Sequence, residues 1–196
     1  MSGLRRELVR KAFHMLSLAY WGVFLLLGWP LAAKVMGAWL AVVFLVETAR
    51  LRVPAAQRAL AGAFSGIIRD SERRRYSGIL FTSAGCLLAM LIARGDGRIV
   101  AVAILQLTFT DSAAALAGKA FGRTKVLGGE KSLEGALAGL SAGYTVALLC
   151  GVGPGPALAS ALATSLTELL PTAGLLNDNL WMPAASAATL AVLLGR

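Results

Sequence analysis

Charged residues divide this chain into seven apolar stretches, and this division limits the fold more than any other feature of the sequence. The stretches cover about residues 13–33, 35–49, 77–93, 99–118, 133–152, 157–170 and 180–195. None alternates apolar and polar residues as a half-buried strand would, so each predicts a helix. Hydrophobic residues make up 57% of the chain even without glycine, above the roughly 45–50% of soluble domains counted with it. We therefore expect a single-domain, all-α integral membrane protein over residues 1–196, with about seven transmembrane helices.

The basic residues fall on alternate sides of these stretches, and this predicts the orientation of the helices. With the N-terminus in the cytoplasm, 15 of the 19 Lys and Arg residues fall on cytoplasmic segments, and the other side keeps only Lys34, Arg94, Arg98 and Arg196. Cytoplasmic loops of membrane proteins carry such an excess. Residues 54–70 are too polar to span a membrane, and their spacing fits either an amphipathic helix on the cytoplasmic interface or a plain loop. We expect a prokaryotic plasma-membrane protein whose active site faces the cytoplasm.

Five carboxylates lie at or near the predicted cytoplasmic ends of helices: Glu47, Asp111, Glu134, Glu168 and Asp178. Asp111 precedes the end of its stretch by about seven residues, so it would lie roughly 10 Å deep. An acid at membrane depth costs about 2.5–3.5 kcal/mol and needs a polar partner, an ion or water. Basic segments lie between these acids, and a site for phosphate and Mg²⁺ requires both kinds of group. Pairing of Asp111 with Lys or Arg purely for packing is the alternative.

Small polar residues mark two helix starts, and glycines mark one helix face. Ser132 is predicted to cap the fifth helix, and Asp178 or Asn179 the seventh. Free N–H groups at these helix starts would favour anions. Glycines recur every fourth residue along the fifth helix, at Gly135, Gly139 and Gly143. That spacing predicts close contact with another helix, and the same face could serve a homodimer.

Six segments, taken in order, resemble the membrane family that contains dolichol kinase, phytol kinase and CTP-dependent diacylglycerol kinase, which is related to the phosphatidate cytidylyltransferases. They are ELVRKAFH near the start, ETARL at 47–51, ERRRYSGILF at 72–81, TDSAAALAGKAFGRTKV at 110–126, KSLEGALAG at 131–139, and E-x₉-DN-x₃-P from Glu168 to Pro183. The chain departs from the family at Ser112, where many members carry Gly. The resemblance covers nearly the whole chain and implies transfer of the γ-phosphate of CTP to the hydroxyl of a lipid alcohol, with Mg²⁺.

The resemblance also implies roles for individual residues. Asp111, Lys131 and Glu134 would be catalytic, and Asp111 would bind the metal or orient the lipid hydroxyl. Glu134 and Asp178 would be further metal ligands. The nucleotide would meet residues of the basic segment and the last helix: Gly118, Lys119, Gly122, Arg123, Lys131, Ser132 and Asn179. Supporting residues would be Glu168 and a second polar cluster, either catalytic or a structural ion-pair network, of Lys11, His14, Glu47 and Arg50.

Two other functions remain open from the sequence. A cytidylyltransferase would use the same nucleotide but attack its α-phosphate. A small transporter or flippase would use the intramembrane acids to bind ions or protons and predicts inverted repeats, of which none is convincing here. The acceptor could be a polyprenol, phytol or another isoprenoid alcohol, or diacylglycerol. The expected partners are CTP and a membrane lipid, with no nucleic acid.

Overall fold

The computed structural model of the protein describes residues 8, 11, 12, 14–55, 57, 75–126, 131–169 and 176–196. Over these residues the chain is all-α, with a short 3₁₀ turn at Met15–Ser17 followed by seven α-helices. The helices are α1 Leu18–Leu27, α2 Leu31–Arg52, α3 Gly78–Ala93, α4 Gly97–Phe121, α5 Leu133–Leu149, α6 Pro154–Glu168 and α7 Asp178–Leu193. Each of the seven apolar stretches therefore overlaps mainly one helix, although the first, 13–33, also covers the 3₁₀ turn and runs past a break at 28–30 into the start of α2. The all-α prediction is confirmed.

Capping chemistry explains where several helices begin. The side chain of Asp96 accepts the backbone N–H groups of Arg98 and Ile99 at 3.0 and 3.2 Å, so α4 begins two residues before the predicted stretch. Ser132 caps α5 as predicted. Pro154 occupies the first turn of α6, where its missing N–H costs nothing, and α6 begins there rather than at residue 157. The cap of α7 is Asn177, one residue before Asp178 and two before Asn179, so the predicted cap was wrong.

Successive helices run up and down, so alternate loops meet at the same end of the bundle. At one end, the Nε of Arg196 lies 3.2 Å from Oδ2 of Asp96, and Arg98 donates to the carbonyl of Gly151 at 3.3 Å. The other end holds the start of the 3₁₀ turn, the C-termini of α2, α4 and α6, and the N-termini of α3, α5 and α7. We call this second end the site end.

Helix α4 lies at the centre and contacts α1, α3, α5, α6 and α7. Its closest neighbour is α5, and the predicted glycine face makes this contact. A β-carbon at Gly135 would lie 2.6 Å from the carbonyl oxygen of Ala114, and one at Gly139 would lie 3.1 Å from that of Thr110. The close approach is therefore confirmed. Because α4 fills this face within the chain, the face is not available to a second copy.

One buried amide connects α4 to three other helices. Gln106 donates through Nε2 to the carbonyl of Gly143 in α5 at 2.9 Å and to Oγ of Ser160 in α6 at 3.1 Å. Its Oε1 accepts the hydroxyls of Thr164 in α6 at 3.0 Å and Ser186 in α7 at 2.6 Å. The amide therefore has partners for both its nitrogen and its oxygen, as a buried polar group requires.

Among the described residues, two helices are long and apolar enough to cross a bilayer. These are α2 and α4, of 22 and 25 residues, each with a mean hydropathy of 1.7. A core helix of a soluble protein or a signal sequence meets the same two criteria. Of the predicted interfacial helix at 54–70, residues 54, 55 and 57 are described and helical, and the rest lies outside the described residues.

Candidate functional site

The candidate site lies inside the bundle, below the site end, because α7 begins farther from the site end than α3 does. Gly85 lies seven residues into α3, about 10 Å from its start. A β-carbon there would lie 2.5 and 2.8 Å from the carbonyl oxygens of Asn179 and Leu180, in the first turn of α7. Asp111 is similarly deep, ten residues before the end of α4 at Phe121, or about 15 Å along the helix. This exceeds the predicted depth because α4 is longer than its apolar stretch.

Asp111 meets two basic side chains from the segment that precedes α1. The Nζ of Lys11 donates to Oδ2 of Asp111, and both residues are buried. The Nε2 of His14 lies 3.4 Å from the same oxygen. That nitrogen is shielded from solvent and has no hydrogen-bond partner. One turn further along, the hydroxyl of Ser17 contacts that of Thr108 at 2.8 Å.

Lys131 connects the C-terminal end of α6 to the N-terminal end of α7. Its Nζ donates to the backbone carbonyl of Glu168 and, at 2.5 Å, to Oε1 of the same residue, and it lies 3.5 Å from Oδ2 of Asp178. Burial opposes the charge of Lys131, but the carboxylates of Glu168 and Asp178 outweigh it, so its pKa lies above the ordinary lysine value. Lys131 is therefore a charged lysine held against two buried acids.

These two groups of side chains form one charged cluster. Asp111 interacts electrostatically with Lys131 as well as with Lys11, and His14 interacts with Asp178. We use the term charged cluster for Lys11, His14, Asp111, Lys131, Glu168 and Asp178. All six were predicted site residues, and α4, α6, α7 and the segments before α1 and α5 supply them.

A second feature, the basic pocket, lies at the end of α4. It is an open cavity of about 480 Å³ lined by Lys119, Ala120, Phe121, Gly122, Arg123 and Glu134. Glu134 accepts the backbone N–H of Thr124 with both carboxylate oxygens, at 3.1 and 3.3 Å. Segment 131–134 connects the pocket to the charged cluster. The predicted nucleotide residues Lys119, Gly122 and Arg123 therefore line one cavity.

At two of the predicted nucleotide glycines, a β-carbon would meet protein atoms. A β-carbon at Gly122 would lie 2.5 Å from Oγ of Ser132, and one at Gly118 would lie 3.2 Å from it. Backbone hydrogen bonds from the N–H of Val126 to the carbonyl of Lys131 and from the N–H of Leu133 to the carbonyl of Thr124 join residues 124–126 to residues 131–133. The two glycines therefore allow Ser132, the cap of α5, to lie close to the end of α4.

The predicted metal ligands are not brought together. Glu134 lies in the basic pocket, whereas Asp111 and Asp178 belong to the charged cluster and each has a lysine ammonium as neighbour. Within the described ranges, no three His, Cys, Asp or Glu side chains gather as a metal-binding group. The donor set of Asp111, Glu134 and Asp178 thus does not fit a resident Mg²⁺ ion.

The predicted second polar cluster divides into two parts. Lys11 and His14 join Asp111, whereas Glu47 and Arg50 pair with each other at 2.8 Å, far along the chain from them. Arg50 also donates to the carbonyl of Arg75 at 2.6 Å, and Glu47 accepts the N–H of Ser77 at 2.9 Å. Glu47 and Arg50 therefore tie the end of α2 to the start of α3, which is a structural role.

Sequence reasoning missed Gln106 and Ser17. The spacing of Lys11, His14 and Ser17 at every third residue was the available signal for Ser17, because it places all three on one helical face. Gln106 gave no such signal, since it is a lone amide in an apolar stretch.

In comparisons with protein-family models, curated proteins and solved structures, no match to the chain is found.

Proposed function

We propose that this protein is a membrane-embedded, CTP-dependent kinase that transfers the γ-phosphate of CTP to the hydroxyl of a lipid alcohol. The observation that carries the proposal is the charged cluster buried inside an apolar bundle, next to a basic pocket that opens at the end of the same helix. A nucleotide reaching from the pocket toward the cluster and a lipid alcohol reaching the cluster from within the membrane would meet there.

The outer surface of the bundle supports a membrane setting. Large apolar side chains cover it, including Leu26, Leu149 and Val192, which are 86%, 82% and 78% exposed. Extensive exposed apolar surface on a monomer indicates contact with lipid or with a partner protein. The excess of Lys and Arg near the site end favours a cytoplasmic site and N-terminus, and seven membrane crossings belong to the same proposal.

Charge neutralisation and alignment would account for catalysis. The transition state of phosphoryl transfer is loose, so cations and in-line positioning matter more than a strong base. Lys119 and Arg123 would bind the phosphates in the basic pocket, and Lys131 would neutralise charge between the pocket and the cluster. Mg²⁺ would enter as the counter-ion of the nucleotide phosphates, as part of the substrate.

The chemistry balances without any further reactant. The alcohol oxygen forms a bond to the γ-phosphorus, and the bond from that phosphorus to the oxygen bridging it to the β-phosphorus breaks. CDP leaves with the electron pair of the broken bond. The alcohol loses its proton to a carboxylate, for which Asp111 is the buried candidate.

Radiolabel transfer by the purified protein in detergent micelles with Mg²⁺ tests this function. CTP labelled at the γ-position and CTP labelled at the α-position are compared, together with γ-labelled ATP. The acceptors are isoprenoid alcohols, diacylglycerol and phosphatidic acid. We expect γ-label, and no α-label, in an alcohol acceptor. Asp111→Asn should abolish this transfer, whereas Asp96→Asn, an acid at the opposite end of the bundle, should retain it.

Three results would overturn the proposal. The α-label in the product of phosphatidic acid would indicate a cytidylyltransferase. No transfer from any nucleotide by folded protein would favour a transporter with an intramembrane acidic site. Full activity of Asp111→Asn would remove the charged cluster from the reaction.

A further inference from the structure

His14 presents a buried nitrogen that lacks a hydrogen bond. Its Nε2 is shielded from solvent and lies 3.4 Å from Oδ2 of Asp111, beyond the length of a good hydrogen bond. Leaving a buried polar atom without a partner destabilises the fold. Such an atom in a native fold calls for an explanation, and a polar group that binds there would supply the partner.

The chemistry of these two atoms limits the kind of group that could contact both of them. An oxygen atom about 2.8 Å from each would complete a triangle on their 3.4 Å separation. A hydroxyl suits this position because one oxygen can donate to the carboxylate and accept from the imidazole. A phosphate oxygen would face the charge of Asp111, and a metal ion would face the ammonium of Lys11, so both are disfavoured.

We propose that His14 and Asp111 together bind the hydroxyl of the acceptor, and that Lys11 holds Asp111 in position as its ion-pair partner. The inference rests on the proposed function and deepens it, because it assigns Asp111 to the acceptor rather than to a metal. In the transfer step, the hydroxyl proton passes to a carboxylate oxygen of Asp111 as the bond from oxygen to the γ-phosphorus forms. His14 is then a residue that touches the substrate.

The surroundings of His14 indicate the class of alcohol. Leu8 and Leu16, on either side of it along the chain, are exposed apolar side chains. An acceptor that carries its hydroxyl at the end of an apolar chain could lay that chain along this surface. The ligand class is therefore an alcohol that carries an apolar chain.

A pair of ligands that differ only in the hydroxyl tests this site without requiring turnover. Binding of geranylgeraniol and of its methyl ether is measured with the purified protein in detergent micelles, in the absence of nucleotide. The wild-type protein should bind the alcohol about tenfold more tightly than the ether, as loss of one good hydrogen bond implies. Asp111→Ala, which removes the acceptor for the O–H group, should lose this preference. His14→Phe, which keeps a ring but has no nitrogen, should weaken binding of both ligands about tenfold, because the hydroxyl and the ether oxygen both accept from the imidazole. His14→Gln, which retains a polar group, should recover part of that binding.

Kinetics give a second readout. In His14→Phe the KM for the alcohol should rise about tenfold while the KM for CTP stays unchanged. Equal binding of alcohol and ether by the wild-type protein would overturn the inference, as would a rise in the KM for CTP without a rise in that for the alcohol. A clear preference for the alcohol without any phosphate transfer would support the site and refute the kinase. The wild-type ligand comparison tests the contact of the hydroxyl with Asp111 even if both His14 variants fail to fold.

Discussion

Replacement of Lys131 by Met separates its structural role from its proposed role in catalysis. The change leaves Glu168 and Asp178, which are 4% and 7% exposed, without their shared cation. Breaking a buried ion pair from one side costs about 3–5 kcal/mol. Because the Lys131 side chain is 33% exposed, solvent screening should reduce the loss to about 2–3 kcal/mol of unfolding free energy.

A second substitution should restore stability without restoring activity. Lys131→Met with Glu168→Gln removes the charge of one of the two acids that Lys131 contacts, so we expect it to recover about half of the lost stability. Phosphate transfer should stay roughly 100-fold or more below wild type in both proteins, because the cation near the phosphates is missing. Denaturant titration in micelles measures stability, and γ-label transfer measures activity. If the double variant regained both together, Lys131 would be only a neutraliser of Glu168.

Three further predictions concern the helix contact, the basic pocket and the depth of the site. Gly135→Ala should destabilise the fold by about 1–3 kcal/mol, because the added β-carbon would meet a backbone carbonyl of α4. Gly155→Ala is the control: its β-carbon would meet no atom within 4 Å, so thermal unfolding should show a neutral or stabilising effect. Arg123→Gln should raise the KM for CTP about tenfold. Arg98→Gln, at the opposite end of the bundle, should leave the KM for CTP unchanged. If steady-state assays gave equal KM changes for both variants, the basic pocket would not be the nucleotide site. In competition assays, a single-chain isoprenoid alcohol should be a better acceptor than diacylglycerol. For diacylglycerol to reach Asp111, its two polar ester groups would have to enter the apolar bundle. A preference for diacylglycerol would contradict the deep position of Asp111 as the acceptor site.

The sequence allowed the helices to be predicted because apolar length and charge position are local properties. Each stretch overlaps mainly one helix, and the errors lie at the helix ends; the first stretch, 13–33, runs past the end of α1 into α2. Lys34 was excluded from the second stretch, yet it lies within α2 with an exposed side chain. A lysine can extend its charged group away from an apolar helix surface, so a single charge does not end a helix.

The partners within the site were harder to predict, since charge position gives the level of a residue along the bundle but not the direction that its helix faces. Asp111 and Lys11 are 100 residues apart and meet because α4 turns that side chain toward the segment before α1. Glu134 lies only three residues from Lys131, yet it lines the basic pocket instead of joining the charged cluster. No local pattern distinguishes these two outcomes.

The hydrogen bonds of Gln106 have a consequence for how uniquely the bundle is specified. Alanine and glycine make up much of the contact between helices, and such smooth surfaces would fit almost as well if one helix slid past another. A slide of one turn, about 5.4 Å, would carry Ser160, Thr164 or Ser186 out of reach of the amide. A single buried amide can fix register in this way at some cost in stability. Gln106 would then fix the register of α5, α6 and α7 against α4. Replacing Gln106 by an apolar residue would therefore produce several packing arrangements of the helices more than it would lower the melting temperature.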